Sequence, residues 1–136
     1  MSVLADLRAG AKTALDNTAS LGERHTGRPA GVGSYPAGWV GDMRTDLNHD
    51  SGTRQWTAEV DCIIVVSSFD NEEEMAALDT AMSELIDYVT DTPHLMGANT
   101  VVEPVRARQT SEDDGQGVPR PAAIVTLGRF VFMEGR

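Results

Sequence analysis

Residues 54–67 constrain this chain more than any other stretch. Trp56, Ala58, Val60, Cys62, Ile64 and Val66 alternate onto one side, the two-residue period of a strand with a buried face. The intervening positions start polar with Gln55, Thr57, Glu59 and Asp61, then turn apolar at Ile63 and Val65. Such a strand needs a continuous cover on one face. On its other face it runs from wet to covered.

The cover comes from helices. Residues 71–90 carry Met75, Leu78, Met82, Leu85, Ile86 and Val89 as one apolar stripe at helical spacing. Asp70 and Glu73 have capping-box spacing, and Glu72, Glu73 and Glu74 crowd the end where the dipole favours negative charge. Pro93 stops this helix. Residues 2–19 read as a second amphipathic helix, with Ser2 as N-cap and Leu4, Leu7, Ala11, Ala14 and Leu15 on its apolar side. Gly10 within it costs about 1 kcal/mol against alanine, so that helix depends on tertiary support.

Three further strands are expected. Trp39–Met43 reads as a short one, ended by a polar turn at Asn48–Gly52, and residues 99–109 and 121–133 as two more around the turn 110–119. The last is apolar on both sides, the mark of a central strand. Pro104 makes 99–109 an edge or bulged strand. The reading is an α+β fold in the order α-β-β-α-β-β, with a mainly antiparallel four-stranded sheet under both helices. With 136 residues, 40% of them hydrophobic, the chain is one domain, 1–136. Mobile loops are expected at about 20–38, where glycine and proline cluster, and at 110–120.

Charge narrows the function. Twenty-one acids against eleven bases leave a net −10, which argues against a nucleic-acid binder or a protein docked on anionic membrane. The single Cys62 excludes an internal disulfide and reads as a small core residue. The first residues lack a basic region and apolar run, so no signal peptide is expected, and no stretch reaches the roughly 20 apolar residues of a membrane span.

Motifs for chemistry are missing. GxSxG, HExxH, the phosphate-binding GxxxxGK[ST] and CxxC do not occur. The glycines of 27–38 lack the strand and helix start that a phosphate cradle needs. Asp46–Gly52 resembles the start of a calcium loop, with its glycine one place late and Thr57 where a glutamate belongs. His25, His49 and His94 are isolated, and zinc needs three or four converging ligands. Glu59 and Asp61 share a strand face and could serve acid–base chemistry only if one had a raised pKa. No catalytic, cofactor-binding or metal-binding residue is assigned, and no enzymatic activity is expected. The acids Glu112, Asp113 and Asp114, near Arg106, Arg108 and Arg120, read either as a polar loop tip or as a contact to a neighbour's arginines.

The order of elements carries a resemblance. An N-terminal amphipathic helix precedes a Pro/Gly-rich stretch with an aromatic ahead of a Val-rich strand. A Trp-bearing strand ending Val60-Asp61-Cys62-Ile63-Ile64-Val65-Val66 leads straight into the Asp-Asn-Glu-capped helix with Leu78-Asp79 and Leu85-Ile86-Asp87. Then come Asp91-Thr92-Pro93-His94-Leu95-Met96-Gly97 and Ala122-Ala123-Ile124-Val125-Thr126-Leu127. Over nearly its full length this resembles the tail terminator, or tail tube completion, proteins of long-tailed non-contractile bacteriophages. The glycine-rich 22–38 segment departs from many of them.

The resemblance implies a non-enzymatic subunit of a six-fold ring that caps the tail tube and joins it to the head–tail connector. It implies a homo-hexamer, the tail tube protein and the connector protein as partners, and no cofactor. The location would be the head-proximal end of the virion tail, after assembly in the host cytoplasm. Genome DNA would pass the lumen without specific binding. Six copies at −10 would carry −60, a wall that repels a polyanion. Tyr35, Trp39, Arg106, Arg108, Glu112, Asp113 and Asp114 are the expected subunit or tube contacts. Two other readings stand beside this one: a head–tail connector or stopper, or another minor tail protein; and a small cytoplasmic α+β ligand-binding domain or enzyme.

Overall fold

In the computed structural model, which describes residues 3–50, 53–96 and 101–134, two helices lie on one face of a five-stranded sheet. The elements are α1 (Val3–Asp16), β1 (Glu23–His25), β2 (Ala37–Asp50), β3 (Thr53–Val65), α2 (Glu72–Asp91), β4 (Glu103–Asp113) and β5 (Pro119–Glu134). The sheet order is β1-β2-β3-β5-β4. All neighbours are antiparallel except β1, which runs parallel to β2. The fold is α+β, but the expected four antiparallel strands become a five-stranded mixed sheet, and the element order gains a strand after α1. That strand, Glu23-Arg24-His25, is three polar residues with no alternation to betray it.

Strand β3 sits in the middle and has the two faces read from its sequence. Ala58, Val60, Cys62, Ile64 and Val66 join the main core with Leu7, Ala11 and Leu15 of α1 and Leu78, Ala81, Leu85 and Val89 of α2. Burial on this scale is the dominant favourable term in the fold. Ile63 and Val65, on the other face, form a second cluster with Ala37, Trp39, Ala122 and Ile124, covered by Val32 and Tyr35. The connection between β1 and β2 therefore roofs the dry half of that face.

Local chemistry sets the element ends. Asn71, not Asp70, caps α2: its Oδ1 accepts from the backbone N–H of Glu73 at 2.9 Å and of Glu74 at 3.3 Å. Asp and Asn are equally good caps, so adjacent candidates shift a boundary by one residue. Ser2, the expected cap of α1, lies outside the described residues, and α1 ends at Asp16 rather than residue 19. Gly10 of α1 is buried with the Met96 thioether against it, and a Cβ there would collide with Met96 Sδ. Close approach of that side chain is the tertiary support this glycine required.

Strand β2 outruns its expected end, and β4, expected at 99–109, is displaced along the chain to Glu103–Asp113. Of the polar turn expected at 48–52, positions 48–50 belong to β2, which continues to Asp50; Ser51 and Gly52 lie outside the described residues. β4 runs through Glu112 and Asp113, leaving a turn at 114–118. As Pro104 implied, β4 is an edge strand, and its register shifts between Pro104 and Arg106. β5 is central, yet its pairing also slips: Val60 faces Leu127 whereas Ala58 faces Phe130. β5 carries one extra residue there, a bulge in the ladder.

Candidate assembly surface

The wet half of the sheet's second face carries a lattice of charges. Arg44 on β2 donates from Nη1 to Asp61 Oδ2 and from Nη2 to Asp61 Oδ1, both at 2.9 Å. Thr126 Oγ1 on β5 donates to Asp61 Oδ1 at 2.7 Å. Arg44 Nη2 also lies 3.6 Å from Glu59 Oε1, which receives a hydrogen bond from Arg106 Nη2 of β4. Four strands are thus laced through two carboxylates. These groups border a shallow concavity lined by Arg44, Thr45, Asp46, Thr57, Glu59 and Arg106.

Asp61 is 7% exposed. Burial pushes its carboxyl up, but the bonds from Arg44 and Thr126 and the positive charges of Arg44 and Arg108 outweigh that and hold it below the usual range. Arg44 is correspondingly raised, chiefly by its hydrogen bonds to Asp61. A carboxylate so stabilised is no proton donor near neutrality, so Asp61 lacks the raised pKa that acid–base work on this face requires. On the opposite face, burial and then the Asp61 charge push the Cys62 thiol up to about 12, which keeps it protonated and unreactive.

Beyond the dry half, the expected interface residues are used within the subunit. Glu112 Oε1 accepts from Arg28 Nη2 at 2.9 Å. Asp113 Oδ1 accepts from the backbone N–H of Gly115 at 2.7 Å and of Gly117 at 3.0 Å. Asp114, 3% exposed, accepts from the N–H groups of Gln116 and Val118 and from Arg120 Nε. The Gln116 bond chiefly, with Arg120 after it, holds its carboxyl below the usual range against burial. Arg120 then donates to Ser67 O at 2.7 Å. Asp113 and Asp114 staple their own turn, and Glu112 ties β4 to the segment that carries Arg28.

The aromatics are equally committed. Trp39 is 1% exposed, inside the second cluster, with the Arg28 guanidinium 5.9 Å from its ring. Tyr35 is half-buried, and Arg120 lies 5.6 Å from its ring centre. The two segments read as mobile loops touch one another here: a Cβ on Gly115 would collide with Pro29 O.

Arg106, Arg108 and Asp113 are the expected contacts that stay exposed on β4, and of these Asp113 is bound to its own turn. Among the described residues, Arg108 makes no hydrogen bond or ion pair. Sequence reasoning missed Arg44, Arg28 and Thr126. The signal for Arg44 was Asp61 itself, a carboxylate at a strand's wet-to-dry boundary that needs a cation opposite.

Of the histidines, His25 Nε2 lies 2.9 Å from Glu23 Oε2, while Glu23 Oε1 accepts from Gly33 N–H at 2.8 Å, tying the roof segment to β1. Among the described residues no three His, Cys, Asp or Glu side chains are placed to hold a metal ion, and no helix is long and apolar enough to cross a membrane. No protein-family model matches the chain, and neither does any curated protein.

Proposed function

We propose that this chain is a structural subunit of a homo-oligomeric ring, the tail terminator of a long-tailed bacteriophage. The observation that carries the reading is the open edge of the sheet. β4 is an 11-residue edge strand, exposed at most of its positions and holding Arg106 and Arg108. Among the described residues β1 pairs only with Ala37–Trp39 at the opposite edge, leaving most of β2 open there too. Long open edges at both ends of one sheet are surfaces a free-standing monomer normally protects, and two different patches per subunit are what a closed heterologous ring uses.

In this reading the ring is hexameric, seats on the tail tube protein and meets the head–tail connector. Its net charge of −60 over six copies lets genome DNA slide through without sticking. The packed charge lattice supports a scaffold role rather than catalysis. The experiment is to image particles from a phage lacking the protein. Unterminated tails of irregular length support termination, whereas tails of normal length without heads point to a connector role.

A further inference from the structure

Alternation along the ladders decides which backbone groups stand open at the two sheet edges. Asp114 N–H donates to Val118 O at 3.1 Å, and Val66 N–H donates to Pro121 O at 3.0 Å. In an antiparallel ladder, successive residues turn their N–H and C=O to opposite sides. Carried along the register, the first bond directs Arg106, Arg108, Thr110 and Glu112 to β5 and leaves Ala107, Gln109 and Ser111 facing outward. The second, carried across β3, leaves Met43, Thr45 and Leu47 of β2 facing outward. Irregularities bound both stretches. β4 shifts register just before Arg106, and β2 just before Met43, beyond which β1 takes up Ala37–Trp39.

One charge of each sign is left over beside these open stretches. Arg108 and Asp46 are exposed, and among the described residues neither makes a hydrogen bond or ion pair. Both belong to the sheet face of Arg44 and Glu59: Asp46 lines the concavity with them, and Arg108 follows Arg106 by one strand period. They stand on opposite edges, three strand steps apart, about 14 Å at the usual spacing.

We propose that in the ring β4 of one copy pairs antiparallel with β2 of the next, setting Gln109 opposite Thr45 and Arg108 opposite Asp46. The partner is a second copy of this chain. Arg108 and Asp46 then occupy a non-hydrogen-bonded pair, the kind whose side chains lie closest. β4 already runs antiparallel to β2 within the subunit. A rotation about an axis along the sheet therefore presents the next β2 in the direction this pairing needs, and the contact repeats head-to-tail.

The register also suits closure. Across the sheet, Gln109 is level with Ile64 of β3, whereas Thr45 is level with Ala58, six residues away. Each copy is thus displaced about 20 Å along the strands for about 19 Å across its four long strands. That tilts the strands about 45° from the ring axis, at the upper end of the range found in closed sheets. Pairing β4 with β4 about a two-fold axis would leave Asp46 unused. The junction rests on the ring reading and adds which edges meet and in what register.

The test uses full-length Asp46→Arg, Arg108→Asp and their combination, with native mass spectrometry and light scattering reading the ring fraction. Each single change sets like charges opposite one another and should need about tenfold more protein than wild type to assemble. The combination restores opposite charges at every junction and should assemble within about threefold of wild type. Thr45→Pro removes an outward N–H that its own subunit does not use. It should keep the wild-type urea midpoint and lose the ring. Single variants that assemble like wild type, a combination no better than the singles, or a proline variant that still forms rings overturns the edge junction and leaves the ring reading intact. A wild-type chain that stays monomeric or stops at dimers overturns both.

Discussion

Arg44 and Asp61 form a two-pronged ion pair across strands β2 and β3, with both hydrogen bonds at 2.9 Å. The backbone register sets Arg44 opposite Glu59, not Asp61. The guanidinium therefore reaches two residues along β3 to the carboxylate at the boundary between wet and dry sheet. Thr126 completes the carboxylate's coordination from β5, so one buried anion joins three strands.

Asp61→Asn should lower stability at neutral pH by about 2 kcal/mol, the scale of charge-assisted hydrogen bonds. The pH dependence follows from the direction of the Asp61 shift. Its folded pKa lies below the unfolded value near 4, so its contribution is complete above that value and fades as pH falls through it. Urea unfolding at pH 7 and pH 3 checks this: the wild type should lose more stability on acidification than Asp61→Asn does.

Trp39 acts through the core. Trp39→Ala should cost about 3–5 kcal/mol by thermal or urea unfolding, as large aromatic deletions from a core do. The loss should appear in the isolated subunit, before any partner is present. Full stability in that variant combined with failed assembly would return Trp39 to the surface role expected from sequence.

The turn after β4 offers an internal control. Gly115 and Gly117 both have positive φ, +95° and +83°, a region that costs an L-residue about 1 kcal/mol. A Cβ at 117 meets nothing within 4 Å, whereas one at 115 collides with Pro29 O. Gly117→Ala should therefore lose about 1 kcal/mol. Gly115→Ala should lose clearly more by the same unfolding assay, because the backbone of Pro29 and Ala30 must move as well.

The faces of β3 and the stripe of α2 were legible because each carries an uninterrupted apolar period. Ile63 and Val65 even announced the roof that Val32 and Tyr35 supply. β1 was not legible, since three polar residues paired by backbone alone leave no pattern. The placement of β4 was hidden for the same reason: the C-terminal part of an exposed edge strand, made of Arg, Gln, Thr, Ser and Glu, reads as loop. The candidate surface was half legible. Arg106 and Arg108 are exposed on one sheet face, but the acids read as counterparts on a neighbour find partners within the subunit, Asp114 on its own turn and Glu112 on Arg28. Sequence spacing cannot show where a carboxylate finds its donors, because those donors come from residues far along the chain.

Whether this chain works as a ring subunit is tested most directly by its mass in solution compared with its stoichiometry on isolated tails. A closed ring of six copies at the head-proximal end of each tail, also formed by the purified chain at sufficient concentration, is the predicted result. A chain that stays monomeric at every concentration and never joins tails would contradict it.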